Sequence, residues 1–232
     1  MTPAEQIRVA WAVNSLYPNQ PALDAGWTVR DRLFIPQDPG MPVALSLTDG
    51  ITGKIARVWR GSQTGWDWGA DFRFFFTPSP FGPGRIEQGF GEYYGGATTE
   101  SGRPLEPADW FAGHSLGGPA ATYDGSVGGV QGGADLLAIA TPEPADGDFC
   151  GWATPRFRVI HRWENPNDAV PDSPGRIFGY KDLLGAAIPI DMLRIGVDQW
   201  DLPGNHHLPN YIKAFQLQYA FTATPATQAD TP

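Results

Sequence analysis

Residues 113–118 read Gly-His-Ser-Leu-Gly-Gly and place Ser115 between a short apolar run and a stretch of small residues that can form a helix. At a sharp turn from a strand into a helix, flanking glycines remove Cβ atoms that would clash, so the serine hydroxyl projects clear of the sheet. Such a serine is a candidate nucleophile. In a chain with 29 glycines the same letters also fit an ordinary turn. A hydrolase therefore also needs a base, an orienting acid and an oxyanion hole.

Histidine is the usual base for a serine nucleophile, and the chain has four histidines. His114 lies inside the turn, and His161 lies inside a predicted strand. His206 and His207 remain, just before a predicted helix. Both come late in the chain, as the order serine, acid, histidine of α/β-hydrolases requires. The residues alone leave both open.

The acid should follow a strand that comes after the nucleophile, in a turn that holds its carboxylate. Residues 165–171 (Asn-Pro-Asn-Asp-Ala-Val-Pro) fit this position, with Asp168 as the favoured acid and Asp172 as the alternative. The oxyanion needs two preorganised donors. We expect one to be the backbone N–H of Leu116, and the other to be Ser62, in the Arg-Gly-Ser sequence after a predicted strand.

The elements that must position these residues alternate between buried strands and helices. Strands are predicted over 27–35, 43–47, 54–59, 108–112, 134–140 and 156–163, and helices over 4–16, 90–94, 116–123 and 209–220. This alternation predicts an α/β fold with a mostly parallel central sheet flanked by helices. The length fits a single domain over residues 1–221. Residues 222–232 are predicted to be a disordered tail.

The composition excludes several classes of partner. The formal net charge is −9 and the pI is about 4.8, with no run of Lys or Arg, so we expect no nucleic-acid partner. No segment reads as a membrane span or an export signal. The chain as it stands is therefore predicted to be soluble and cytoplasmic, or secreted if a leader has been removed. Cys150, the single cysteine, is predicted to be a core residue, and no metal or cofactor is expected. The oligomeric state is not defined.

Five segments together resemble the class 3 lipases, the fungal-lipase-like branch of the α/β-hydrolases. They are residues 58–62 (Val-Trp-Arg-Gly-Ser), 86–90 (Ile-Glu-Gln-Gly-Phe), 113–118, 167–171 (Asn-Asp-Ala-Val-Pro) and 207–211 (His-Leu-Pro-Asn-Tyr). The resemblance implies Ser115 as nucleophile, Asp168 as orienting acid, and Ser62 with Leu116 as oxyanion donors. Its final His-x-x-x-Tyr pattern favours His207 over His206 as the base.

The resemblance implies a carboxylic ester hydrolase, a lipase or esterase, that works through an acyl-serine intermediate. Feruloyl esterases, phospholipases A1 and catalytically silent binding or scaffold proteins share the fold and stay open as alternatives. Glu87 stands where the family usually has histidine. The segment between Phe90 and the Gly-His-Ser-Leu-Gly turn is shorter than in the family. We expect these departures to change the walls of the pocket that binds the acyl group of the ester, and not the catalytic residues.

A lid is a further expectation from the resemblance. The family often carries a short amphipathic lid helix after the oxyanion strand, and residues 63–70 contain Trp66 and Trp68. We expect these tryptophans to cover the site or touch a lipid interface, or else to pack in the core.

Overall fold

The computed structural model describes residues 1–62, 75–131, 133–175, 178–183 and 185–223. The β-strands in these ranges are β1 (Trp27–Phe34), β2 (Ala44–Asp49), β3 (Ile55–Trp59), β4 (Phe76–Pro78), β5 (Arg85–Glu87), β6 (Thr98–Thr99), β7 (Trp110–His114), β8 (Ala134–Ile139), β9 (Phe157–Glu164) and β10 (Ala186–Pro189). The α-helices are α1 (Pro3–Asn14), α2 (Gln88–Gly95), α3 (Gly117–Gly128), α4 (Gly147–Ala153), α5 (Leu202–His206) and α6 (Leu208–Ala223). Two 3₁₀ helices span Thr154–Arg156 and Met192–Ile195.

An eight-stranded sheet runs in the order β10-β9-β8-β7-β3-β2-β1-β6. Strands β3, β7, β8, β9 and β10 pair in parallel, while β1, β2 and β6 form an antiparallel extension at one edge. The strands β4 and β5 make a separate two-stranded sheet. The predicted α/β arrangement with a mostly parallel central sheet is confirmed.

Helices cover both faces of the parallel strands, which explains why β7 and β8 are buried at every residue. Helices α1 and α6 pack on one face, in a core that includes Trp110, Trp163 and Tyr211. Helices α2, α3 and α4 lie on the other face with Trp59, Phe111 and Tyr123. The two cores fix the sheet from both sides, so the loops at its ends are held on a rigid support.

The candidate site residues lie in loops at one edge of this sheet. Residues 60–62 follow β3, Ser115 follows β7, and Asp168 comes shortly after β9. Because these three strands run in the same direction, their carboxyl ends meet at the same edge. The loops that follow them are therefore neighbours in space.

Several elements differ from the sequence predictions, and three of the differences concern helices α3, α4 and α6. Helix α3 continues to Gly128, beyond the predicted end at residue 123. Helix α4 lies between the predicted strands 134–140 and 156–163, where no helix was predicted; the Asp146 side chain caps it by accepting a hydrogen bond of 3.0 Å from the N–H of Phe149. The last helix extends through Ala223, and the rest of the predicted tail, 224–232, lies outside the described residues. None of the helices in the described ranges combines the length and apolar composition needed to cross a bilayer.

Candidate active site

Ser115 occupies the turn between β7 and α3 with its backbone in the left-handed region, at φ 57°. A non-glycine residue in this region is strained and marks a position that the surrounding fold enforces. The turn is also tight: a Cβ on Gly113 would collide with the carbonyl of Gly117, and one on Gly117 would collide with the carbonyl of Trp59. The glycines on both sides of Ser115 are therefore required by close backbone contacts, as in a nucleophile elbow.

The ring of His206 lies between Ser115 and Asp168. His206 Nε2 is 2.9 Å from the Oγ of Ser115, and its Nδ1 is 2.7 Å from Oδ2 of Asp168. A carboxylate accepts hydrogen bonds, so Nδ1 carries the proton, and the lone pair of Nε2 faces the serine hydroxyl. This is the geometry in which a histidine can take the serine proton.

The prediction of His207 as the base is corrected by this geometry. His206 is the last residue of α5 and presents its ring to the site, whereas His207 is exposed in the break between α5 and α6. The backbone carbonyl of His207 accepts from the N–H groups of Asn210 and Tyr211 and so begins α6. The His-x-x-x-Tyr pattern that ends at Tyr211 selects His207, one residue after the histidine that bonds Ser115.

Helix α5 is short, and buried amides hold it in place. Asn205 is fully buried, and its side chain donates to the carbonyls of Asp198 (2.9 Å) and Gln199 (3.2 Å). Its Oδ1 accepts a hydrogen bond of 2.8 Å from the side chain of Asn165, in the loop that carries Asp168. The base and the acid are therefore linked by a second contact besides their own.

Asp168 is buried, and its carboxylate accepts three hydrogen bonds. Oδ2 accepts from His206 and, at 2.8 Å, from the hydroxyl of Tyr211, while Oδ1 accepts from the N–H of Val170 at 3.0 Å. Burial and the neighbouring carboxylate hold the pKa of Tyr211 well above its ordinary value, so this hydroxyl stays a donor. Asp172, the alternative acid, is exposed.

Ser62 and Leu116 both lie beside the nucleophile, where an oxyanion would need donors. Leu116 stands at the start of α3, where backbone N–H groups have no acceptor within the helix. The Oγ of Ser62 is shielded from solvent and has no hydrogen-bond partner among the described residues. A Cβ added to Gly61 would lie 2.8 Å from the Cβ of Ser115, so the loop after β3 touches the elbow. Trp66 and Trp68 lie outside the described residues.

A cavity of about 430 Å³ opens beside Ser62, Asp168 and His206, and Tyr17 and His114 also line it. Most of its surface is apolar, and its apolar side chains include Pro18, Ala169, Val170, Leu202, Pro203 and Leu208. A mostly apolar cleft with a few converging polar groups is typical of a small-molecule site. The arrangement can bind an ester with an apolar substituent and attack it with a serine.

Sequence reasoning missed one residue of the site, Tyr17, and missed the role of His114. The hydroxyl of Tyr17 is 2.7 Å from both the Gly61 nitrogen and Nδ1 of His114, and Nε2 of His114 is 2.9 Å from the carbonyl oxygen of His206. Tyr17 follows α1, far from any motif, so no local pattern could have found it. His114 was set aside because its side chain diverges from that of Ser115.

Comparison with protein families gives one match, to the family Lipase (class 3), over residues 57–178. The match covers more than half of the chain and runs from β3 past the loop of Asp168. This chain belongs to the class 3 lipases. The matched stretch ends before His206, so the base of this class 3 lipase rests on the geometry described above. No curated protein sequence matches the chain significantly.

Solved structures show the same fold at low sequence identity. A Rhizomucor miehei lipase in complex with its propeptide is 20% identical, with 92% of this chain and 75% of that chain covered and a TM-score of 0.67. The lipase of Rhizopus microsporus var. chinensis is 18% identical, over 81% of this chain and 74% of the other, with a TM-score of 0.64. A triacylglycerol lipase whose catalytic centre is a serine protease triad is 20% identical, over 82% and 81% of the two chains, with a TM-score of 0.65. The α/β-hydrolase fold of this class 3 lipase is thereby confirmed, and carboxylic ester hydrolysis is the activity that the family supports.

Proposed function

We propose that this class 3 lipase hydrolyses carboxylic esters through an acyl intermediate on Ser115, with His206 as the general base and Asp168 as the orienting acid. One observation carries the proposal: the strained Ser115 stands 2.9 Å from a histidine ring whose other nitrogen bonds a buried carboxylate at 2.7 Å. Nucleophile, base and orienting acid in this arrangement are the parts that acyl transfer to a serine requires.

The reaction follows from the hydrogen bonds of the site. His206 Nε2 accepts the hydroxyl proton while Oγ of Ser115 forms a bond to the ester carbonyl carbon, and the carbonyl oxygen takes up the negative charge. That oxygen accepts hydrogen bonds from the N–H of Leu116, at the start of α3, and from Ser62, in the loop after β3. The intermediate collapses when the C–O bond to the alcohol breaks and His206 returns its proton to the leaving oxygen. Water, deprotonated by His206, then releases the acid and regenerates Ser115.

Esters with an apolar acyl or alcohol part are the proposed substrates, because most of the cavity surface is apolar. Contact with a lipid interface belongs to this proposal. It is supported by Trp200 and Leu202, which are 81% and 56% exposed, and Leu202 itself lines the cavity. The net charge of −9 favours uncharged over anionic lipid surfaces.

A panel of p-nitrophenyl esters of increasing chain length, assayed with wild type and Ser115→Ala, tests the reaction. We expect turnover by the wild type and its loss by at least about 10³-fold in the variant. The matched control is Ser126→Ala, in the same helix–elbow unit, where the hydroxyl only bonds the carbonyl of Thr122. Equal turnover by wild type and Ser115→Ala would refute the nucleophile, and the chain-length optimum separates esterase from lipase preference.

A further inference from the structure

Two polar residues that the reaction does not use, Tyr17 and His114, lie beside the active site; His114 is buried and Tyr17 is partly buried. The ring of His114 is 5% exposed and faces the ring of His206 with 4.9 Å between the ring centres. Tyr17 packs its ring edge-on against His114 at 5.7 Å. Both side chains line the cavity. The Tyr17 hydroxyl makes two hydrogen bonds, and each ring nitrogen of His114 makes one.

The direction of every hydrogen bond in this group is fixed. The carbonyl of His206 can only accept, so Nε2 of His114 carries the proton and donates to it at 2.9 Å. Burial keeps the pKa of His114 well below its ordinary value, so the ring is neutral and its Nδ1 is an acceptor. The Tyr17 hydroxyl therefore donates to Nδ1 at 2.7 Å, and its oxygen accepts the N–H of Gly61 at 2.7 Å.

This chain of hydrogen bonds joins the three loops of the site. Gly61 lies beside the proposed oxyanion donor Ser62, His114 precedes Ser115, and the carbonyl at the far end belongs to His206. Hydrogen bonds that run in one direction strengthen one another, and a buried group left without its partner is costly. The geometry therefore fixes the oxyanion loop and the base relative to the nucleophile.

We propose that Tyr17 and His114 are positioning residues of the ester hydrolase, which set the oxyanion loop and the His206 backbone for the transition state. The proposal rests on the proposed function for its kinetic test. It predicts that loss of the Tyr17 hydroxyl lowers kcat and leaves KM unchanged, because the aromatic ring keeps its place in the cavity wall while the transition-state contacts move.

Tyr17→Phe tests the proposal, since it removes one oxygen and keeps the ring. We expect kcat on a soluble p-nitrophenyl ester to fall about tenfold with KM within about twofold of wild type. The matched control is Tyr123→Phe, which removes a buried hydroxyl that donates to the carbonyl of Pro144 at 2.6 Å on the other face of the sheet. The proposal is overturned if Tyr17→Phe keeps kcat within twofold, raises only KM, or loses no more kcat than Tyr123→Phe.

Two substitutions of His114 distinguish the hydrogen bond to the His206 carbonyl from the one to Tyr17. A glutamine amide reaches as far as the imidazole Nε2 and can still donate to the His206 carbonyl, whereas an asparagine amide reaches only as far as Nδ1. We expect His114→Gln to retain more kcat than His114→Asn. The opposite order would show that the link to His206 does not position the base.

A measurement without turnover keeps this inference distinct from the proposed function. In ¹⁵N NMR spectra of the wild type, the ring of His114 should carry its proton on Nε2, and Tyr17→Phe should shift the ring signals of both His114 and His206. A proton on Nδ1 of His114, or His206 signals unchanged by the substitution, would overturn the positioning role. A wild type that cleaves no ester would instead refute the proposed function alone.

Discussion

Tyr211 donates a hydrogen bond of 2.8 Å to Oδ2 of Asp168, the same oxygen that accepts from His206. The tyrosine oxygen also accepts the N–H of Asn165 at 3.1 Å. A residue of α6 thus holds both the beginning of the acid loop and the acid itself. The sequence pattern paired Tyr211 with His207, but the Asp168 carboxylate links the Tyr211 hydroxyl to His206.

Tyr211→Phe should destabilise the fold, because it leaves the buried N–H of Asn165 without its acceptor and removes one donor from Asp168. We expect the free energy of unfolding, measured by urea denaturation, to fall by about 1–3 kcal/mol. Tyr219→Phe, on the same helix but 37% exposed, is the control and should change it by less than about 0.5 kcal/mol. Equal effects of the two substitutions would contradict the structural role of Tyr211.

Substitution of the two neighbouring histidines distinguishes their roles. His206→Ala should lower kcat/KM on p-nitrophenyl butyrate by about 10³-fold or more, because the variant lacks the ring nitrogen that bonds Oγ of Ser115. His207→Ala should stay within a few-fold of wild type, since His207 is exposed and lies outside the line from Ser115 to Asp168. A loss confined to His207→Ala would restore the base that the sequence pattern favoured.

Glu87 should make the fold less stable as the pH rises. Burial raises the pKa of Glu87 above its ordinary value of 4.5, and its Oε1 has no hydrogen-bond partner among the described residues. The unfolded chain therefore loses this proton at a lower pH than the folded chain does. The contribution of Glu87 to stability is full below pH 4.5 and declines as the pH rises through the folded pKa.

Glu87→Gln tests this sign. The amide keeps an oxygen that can accept from the N–H of Phe90 at the start of α2, as Oε2 does at 2.7 Å, but it has no charge to desolvate. In urea denaturation between pH 4 and 8, the free energy of unfolding of the variant should increase relative to that of wild type as the pH rises. Glu106→Gln, at an exposed position before β7, is the control. A difference between Glu87→Gln and wild type that does not change with pH would refute the assignment.

Trp200 should matter for lipid substrates and not for soluble ones. It is 81% exposed, and the N–H of Leu202, at the cavity rim, bonds its carbonyl at 3.0 Å. Trp200→Ser should lower the rate on emulsified tributyrin several-fold, because the apolar surface that anchors the enzyme is lost. The rate on a dissolved p-nitrophenyl ester should stay the same.

Ile51→Ser is the matched control for Trp200→Ser. Ile51 is 74% exposed but lies in the turn before β3, at the opposite edge of the sheet from the active site. This variant should act like wild type on both substrates. The interface proposal fails if Trp200→Ser leaves the emulsion rate unchanged or if Ile51→Ser lowers it equally.

The parts of the fold that could be predicted from sequence are those that local patterns determine. Strands β7 and β8 are apolar runs, β9 buries Phe157, Ile160 and Trp163, and the turn at Ser115 has the glycines that its backbone requires. Helix α4 was missed because Gly147 and Gly151 favour a turn, while the cap at Asp146 and burial of Phe149 and Cys150 stabilise a helix.

The finer arrangement of the site depends on contacts between distant residues. His206 and His207 have the same neighbours in sequence, and only the break between α5 and α6 decides which ring turns inward. Tyr17 meets His114 across 97 positions of the chain, a contact that no spacing encodes. The sequence therefore predicts which loops form the site, but not which of their side chains contact one another.

The left-handed backbone conformation of Ser115 lowers the stability of the fold at the same residue whose hydroxyl the proposed activity requires. A non-glycine residue held there costs on the order of 1 kcal/mol or more, which the packing around β7 and α3 must offset. Selection for a robust fold alone would favour glycine at this position. The serine hydroxyl is thus held at a position whose backbone disfavours any side chain. A Ser115→Gly variant would be more stable than wild type and would lack the hydroxyl.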